Sequence, residues 1–181
     1  MKKLNTLFIT IIIALTSIII NGCDPFDDIY LTLSMDTEFS VQGFGPDINI
    51  GQGFCLSEFE DYKDNKDNLE EIRYISSAYL TFNATTGLQG DSLILTLYEA
   101  DRSTVLFKFV KPTFVAAEYI NNPLEIVLTQ EEINNINLYL SNPKVDKCFW
   151  AKLQVSNVQS ASQFYSLNSK IEFLTELKIK P

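Results

Sequence analysis

The chain has 181 residues, with 14 basic and 23 acidic side chains, no histidine and a net charge of −9 at neutral pH. Such a balance repels nucleic-acid phosphates and anionic headgroups. The missing histidine removes Ser-His-Asp and Cys-His catalysis as well as histidine-ligated zinc, while plentiful aromatics and the lack of repeats or low-complexity tracts describe a chain that folds.

Lys2 and Lys3 precede an apolar run from Leu7 to Ile20, which ends at Ile20-Asn21-Gly22-Cys23. As a helix this run would span ~21 Å at ~1.5 Å per residue, short of a ~30 Å bilayer core. A charged start, a short apolar core and a small residue before the cut are the parts of a secretory leader. The alternative is an uncleaved N-terminal membrane helix. With the cysteine one place after that small residue, Ile20 to Cys23 resembles the lipobox of bacterial lipoproteins. The resemblance implies cleavage between Gly22 and Cys23, and a diacylglyceryl thioether on Cys23, usually with an N-acyl chain such as palmitate. It also implies a lipid-anchored protein of the bacterial cell envelope, expected at the outer membrane on its periplasmic or surface face. Two or more acyl chains hold firmly where one holds only reversibly. Asp24 beside the cysteine resembles an inner-membrane retention signal of some bacteria. In others, acids such as Asp24, Asp27 and Asp28 accompany export to the surface.

Cleavage would remove Lys2 and Lys3 and no acid, taking the net charge from −9 to about −11 and leaving 159 residues. That is enough for one domain with a core. The expected organisation is a signal peptide over 1–22, a lipidated cysteine and tether over 23–28, and a single domain over 29–181. The residues between Cys23 and Ile29 reach only ~17 Å, which keeps the domain close to lipid.

Ile29, Leu31, Leu33 and Met35 alternate with polar residues, the period of a half-buried strand. Gly43, Gly45-Pro46, Gly51 and Gly53 predict an irregular stretch with a short strand at Ile48 to Ile50. Ser57-Glu58-Phe59-Glu60 predicts a capping box and a short helix. From Ile72 to Ala84 the pattern places Ile72, Tyr74, Ala78, Leu80 and Phe82 on one face, and Tyr79 among the residues opposite. Leu93, Leu95 and Leu97, then Val105, Phe107 and Phe109, continue as strands, and the three runs read as an antiparallel meander. Leu124 to Leu128 is a further strand candidate. Thr129-Gln130-Glu131-Glu132 is a second capping box. It opens a helix with Ile133, Ile136 and Leu140 on one face, stopped by Pro143. Phe149 to Val155 and Tyr165 to Ile179 each keep one parity apolar, the mark of a sheet covered on one side.

Seven or eight such strands with one or two short helices and no βαβ rhythm predict an antiparallel two-layer β-sandwich, with a small closed barrel as the alternative. A transmembrane barrel lacks its aromatic girdles here. The order of elements resembles small lipoproteins of unassigned function from some Gram-negative phyla, a resemblance that carries no activity.

Cys55 and Cys148 are left after Cys23. Export to an oxidising compartment and their even number make them a candidate disulfide, with two separate buried thiols as the alternative. Asp61, Asp64 and Asp67, with Asn65 and Asn68, gather oxygens as a calcium loop would. They lack the EF-hand glycine and glutamate and are interleaved with Lys63 and Lys66, so a solvated turn is the favoured reading. Ser141 to Lys144 matches SxxK without its companion motifs. Glu70-Glu71 and Glu131-Glu132 are paired acids of the kind a carboxylate-only hydrolase needs, if they face one another across a cleft. Tyr79, Tyr98 and Trp150 are candidate ligand aromatics on strand faces, suited to a glycan or a protein partner. The expectation is a non-catalytic interaction or structural module without cofactor or metal. The competing readings are a carboxylate-only hydrolase and a carrier of an apolar ligand between the sheets.

Overall fold

Alternating burial organises most of the chain. In Cys148–Ser156 and Phe164–Ile179 every second side chain is buried, from Phe149 to Val155 and from Tyr165 to Ile179. A computed structural model describes residues 28–180; the leader, the lipobox with Cys23, and Asp24 to Asp27 lie outside them.

The elements are β1 (Ile29–Phe44), β2 (Ile48–Cys55), α1 (Glu60–Asn65), β3 (Leu69–Ala84), β4 (Gln89–Glu99), β5 (Val105–Val115), β6 (Leu124–Glu125), α2 (Gln130–Leu140), β7 (Cys148–Ser156) and β8 (Phe164–Ile179). The strands form two antiparallel four-stranded sheets, ordered β1-β8-β3-β6 and β2-β7-β4-β5. They pack face to face as a β-sandwich and do not close into a barrel. Leu33, Phe39, Tyr79, Leu167 and Leu177 from one sheet meet Phe54, Leu95, Phe107, Ala151 and Leu153 from the other in one buried core. The core is rich in rings. Phe54 stacks on Phe149 and on Phe173, and Tyr79 meets Phe114 and Tyr119 edge-on.

Several expectations change. The predicted meander is not formed, because β3 pairs with β8 in one sheet while β4 and β5 pair in the other. The short 85–88 connection therefore crosses between layers. Alternation reports which face of a strand is dry; it does not report the strand's neighbour. The glycine-punctuated stretch is not irregular either, since β1 continues to Phe44 and β2 runs from Ile48 to Cys55. The strand expected over Leu124 to Leu128 shrinks to two residues.

Register shifts in β3 between Tyr74 and Ser76 and between Thr81 and Asn83 invert the expected faces. Ser77, Tyr79 and Thr81 point into the core, while Ile75 and Phe82 face solvent. An added residue in one strand swaps the faces of everything beyond it.

The Thr129 box forms as the sequence predicts. The Thr129 hydroxyl accepts from the Glu132 N–H, and the Glu132 carboxylate accepts from the Thr129 N–H at 2.9 Å. Its other oxygen accepts the Lys108 N–H at 3.1 Å, which ties α2 to edge strand β5. Burial pushes the Glu132 carboxyl up, but these donors outweigh it and hold it below the usual range. The Ser57 box does not form. The Ser57 N–H donates to Asp146 at 2.9 Å, and Glu58 instead accepts from the Cys55 N–H at 3.0 Å.

Candidate functional site

The outward positions of β2, β7, β4 and β5 fall into cross-strand rows. Gly53, Trp150, Tyr98 and Val105 form one row; Gly51, Lys152, Thr96 and Lys108 form the next; Asn49, Gln154, Ile94 and Val110 form a third. No carboxylate stands in any of the three. Thr96 is buried although its neighbours in the row are lysines. Long lysine stems lie over such a site and keep their heads in water.

Trp150 organises this face. A Cβ on Gly51 would sit 2.6 Å from the Trp150 ring, and one on Gly53 would sit 3.3 Å from it. The indole therefore lies across β2 where only glycine leaves room. This is why two glycines occur inside a paired strand, and why they read as a loop in the sequence. The Arg102 guanidinium lies over the same ring, 3.9 Å from its centroid, in cation–π geometry.

The turn that delivers Arg102 is built by Asp101. Its carboxylate accepts the Ser103 and Thr104 N–H groups at 2.9 Å each, and both hydroxyls at 2.8 and 2.7 Å. These bonds hold the carboxyl well below the usual range, the two backbone N–H groups contributing most. Arg102 itself adopts a φ of 60°, the left-handed conformation of a tight turn.

The opposite outer face is built differently. On β1, β8 and β3, Lys170 pairs with Asp36 at 3.2 Å and with Glu172 at 3.7 Å. Lys178 pairs with Asp28 at 2.9 Å and Glu70 at 3.0 Å, and Arg73 pairs with Glu71 at 2.7 Å. The pairs with Asp28 and Glu70 raise the Lys178 ammonium above its usual range. Every ion pair among the described residues belongs to this sheet. Arg102, Lys108 and Lys152 enter none, and neither do Glu38 and Glu176 on the acidic side.

Of the sequence candidates, Tyr98 and Trp150 come together as direct cross-strand neighbours. Tyr79 does not join them. The β3 register shift turns it inward, where it is fully buried against Phe114 and Tyr119, and burial pushes its hydroxyl up. Nor is Trp150 an open stacking platform, since glycine backbone lies under it and Arg102 over it. Cys55 and Cys148 are joined by a disulfide between paired residues of β2 and β7.

Asp61, Asp64 and Asp67 do not gather, and no group of three or more acids, cysteines or histidines that would hold a metal occurs among the described residues. The first two lie on α1 while Asp67 lies beyond it, lining a surface hollow of about 510 Å³ shared with Lys144 and Lys180. Those two cations oppose a calcium ion there. The paired acids are engaged separately, Glu70 with Lys178, Glu71 with Arg73 and Glu132 in its cap. Cys23 and Gly22 lie outside the described residues. Arg102 escaped the sequence reading; the only signal for it was its place in the turn after Asp101.

Fold and surface together define an eight-stranded jelly-roll β-sandwich, by strand order, with one ion-paired and one carboxylate-free outer face. No protein-family model matches the chain, and no curated protein matches it. Among solved structures it is similar to empty-head Turnip Yellow Mosaic Virus, at 7% identity and a TM-score of 0.41 over 86% of this chain and 83% of that one. It is also similar to decameric BFDV capsid protein, at 12% and 0.41 over 82% and 99%, and to Macrobrachium rosenbergii nodavirus, at 11% and 0.41 over 87% and 55%. Likeness at these values carries no argument about role or assembly.

Proposed function

We propose that the protein is a lipid-anchored lipoprotein of the bacterial envelope, at the outer membrane, acting as a non-catalytic interaction or structural module. The observation that carries the interaction reading is the carboxylate-free outer face of β2-β7-β4-β5. In so acidic a chain, the outward rows of these strands carry Lys108, Lys152 and a tryptophan covered by Arg102, and no carboxylate. The anchor is supported by Ile20 to Cys23 and by the start of β1 at Ile29, only six residues beyond Cys23.

The carrier reading is disfavoured by packing. A void between the sheets among Met35, Phe54, Leu97, Ile136 and Phe173 has room for about 10 Å³, no more than about one water. The hydrolase reading is disfavoured by the separate engagement of Glu70, Glu71 and Glu132. Mass spectrometry of the mature N-terminus tests the anchor. The expected result is a chain beginning at Cys23 with diacylglyceryl mass on sulfur, and an unmodified thiol or a retained leader would overturn it.

A further inference from the structure

The two outer faces are complementary in charge and lie on opposite sides of one sandwich. Arg102, Lys108 and Lys152 present unpaired positive charge on one. On the other, acids outnumber bases, and Glu38 stays unpaired beside the Lys170 to Asp36 contact. Each face also carries exposed apolar side chains, Val105 and Val110 on the basic side and Ile75 and Phe82 on the acidic side. Apolar contact framed by opposite charge is the composition of a specific interface.

We propose that the partner of the basic face is a second copy of this chain, docking through its acidic β1-β8-β3 face. Four strands at ~4.8 Å spacing and three or four rows at ~7 Å give a contact of about 400–540 Å² per copy. A stable complex buries about 800 Å² per partner, so free copies in dilute solution associate only weakly. Tethering in one membrane raises the effective concentration and makes a weak contact count; this part rests on the anchor proposed above. The contact joins two different faces of the same molecule. It is therefore heterologous and propagates copy to copy instead of stopping at a dimer.

The test is carbodiimide cross-linking of membranes from bacteria expressing the full chain, which joins lysines to carboxylates in contact. The expected result is a ladder of dimer, trimer and higher species. Arg102→Glu with Lys152→Glu, and separately Asp36→Lys with Glu38→Lys, should each cut the ladder at least about tenfold, by setting like charges face to face. Co-expression of the two double variants should restore it, because alternating copies then present opposite charge at every contact. A ladder that survives either reversal, one that stops at dimers, or a co-expression without rescue would overturn the proposal. A Cys23→Ser chain keeps failure of the anchor separate. Its move to the soluble fraction reports on the lipid, while its ladder, expected only after concentration to about millimolar, still reports on the faces.

Discussion

The two outer faces of this sandwich share one core and one chain yet handle charge in opposite ways. On β1-β8-β3, Lys170 and Lys178 reach carboxylates on neighbouring strands or the preceding loop, Arg73 pairs with Glu71 on its own strand, and acids remain in excess. On β2-β7-β4-β5, charge is left unpaired, while the scaffold beneath is fastened by a disulfide, a glycine-bedded tryptophan and a turn locked by Asp101. The difference teaches where order is maintained without electrostatic satisfaction. It is on this firmly fixed face that the proposed interaction rests.

The largest way to break the comparison is to remove the fastening. Replacing both Cys55 and Cys148 by Ala opens a link between residues 93 apart in sequence, for which the chain-entropy model gives about 4–5 kcal/mol of lost stability. Urea unfolding of the two proteins checks it, and a loss below about 1 kcal/mol would show that the staple is incidental. Next comes Gly51→Ala. Its Cβ has to displace the Trp150 ring, at an expected loss of about 1–3 kcal/mol with a shift in emission of the chain's single tryptophan. The matching Gly43→Ala on β1 meets only the Tyr165 hydroxyl at 3.3 Å and should be milder.

A smaller effect separates the faces by pH. Asp101 is held below its ordinary value of 3.8, so its contribution is present above that pH and is lost as pH falls further. Lys178 is held above its ordinary 10.5, so its contribution is present below that pH and fades as pH rises beyond it. The stability difference between wild type and Asp101→Ala should therefore shrink in acid, and that between wild type and Lys178→Met should shrink in alkali. Thermal melts across pH 2–12 read both, and the same pH limit for the two variants would contradict the assignment.

How much of this was legible depended on whether one strand kept one parity. β7 and β8 did so along their whole length, and the Thr129 box needed only four local residues. β3 defeats a reading by parity because register shifts leave no mark in the sequence, so Tyr79 is expected opposite the apolar stripe and lies in the core. The assignment of β3 and β4 to different sheets was hidden because short turns serve both hairpins and crossings. Gly51 and Gly53 looked like loop residues because the reason for them, Trp150, lies almost a hundred residues away. The Trp150 and Tyr98 pair is half visible, as two outward aromatics; the sequence marks Glu99 to Ser103 as a tight turn, but the place of Arg102 over the indole depends on the fold.

Trp150 lies on an outer face whose strand rows carry lysines and no carboxylate, and quenching of its fluorescence tests that positive character most directly. In nonionic detergent at low salt, and with each ion normalised to its quenching of free N-acetyltryptophanamide, iodide should quench Trp150 at least about twofold more efficiently than caesium, since local potential concentrates the counter-ion. The preference should vanish or reverse when Arg102, Lys108 and Lys152 are all changed to Glu. Equal quenching by the two ions in the unaltered protein, or stronger quenching by caesium, would contradict the account.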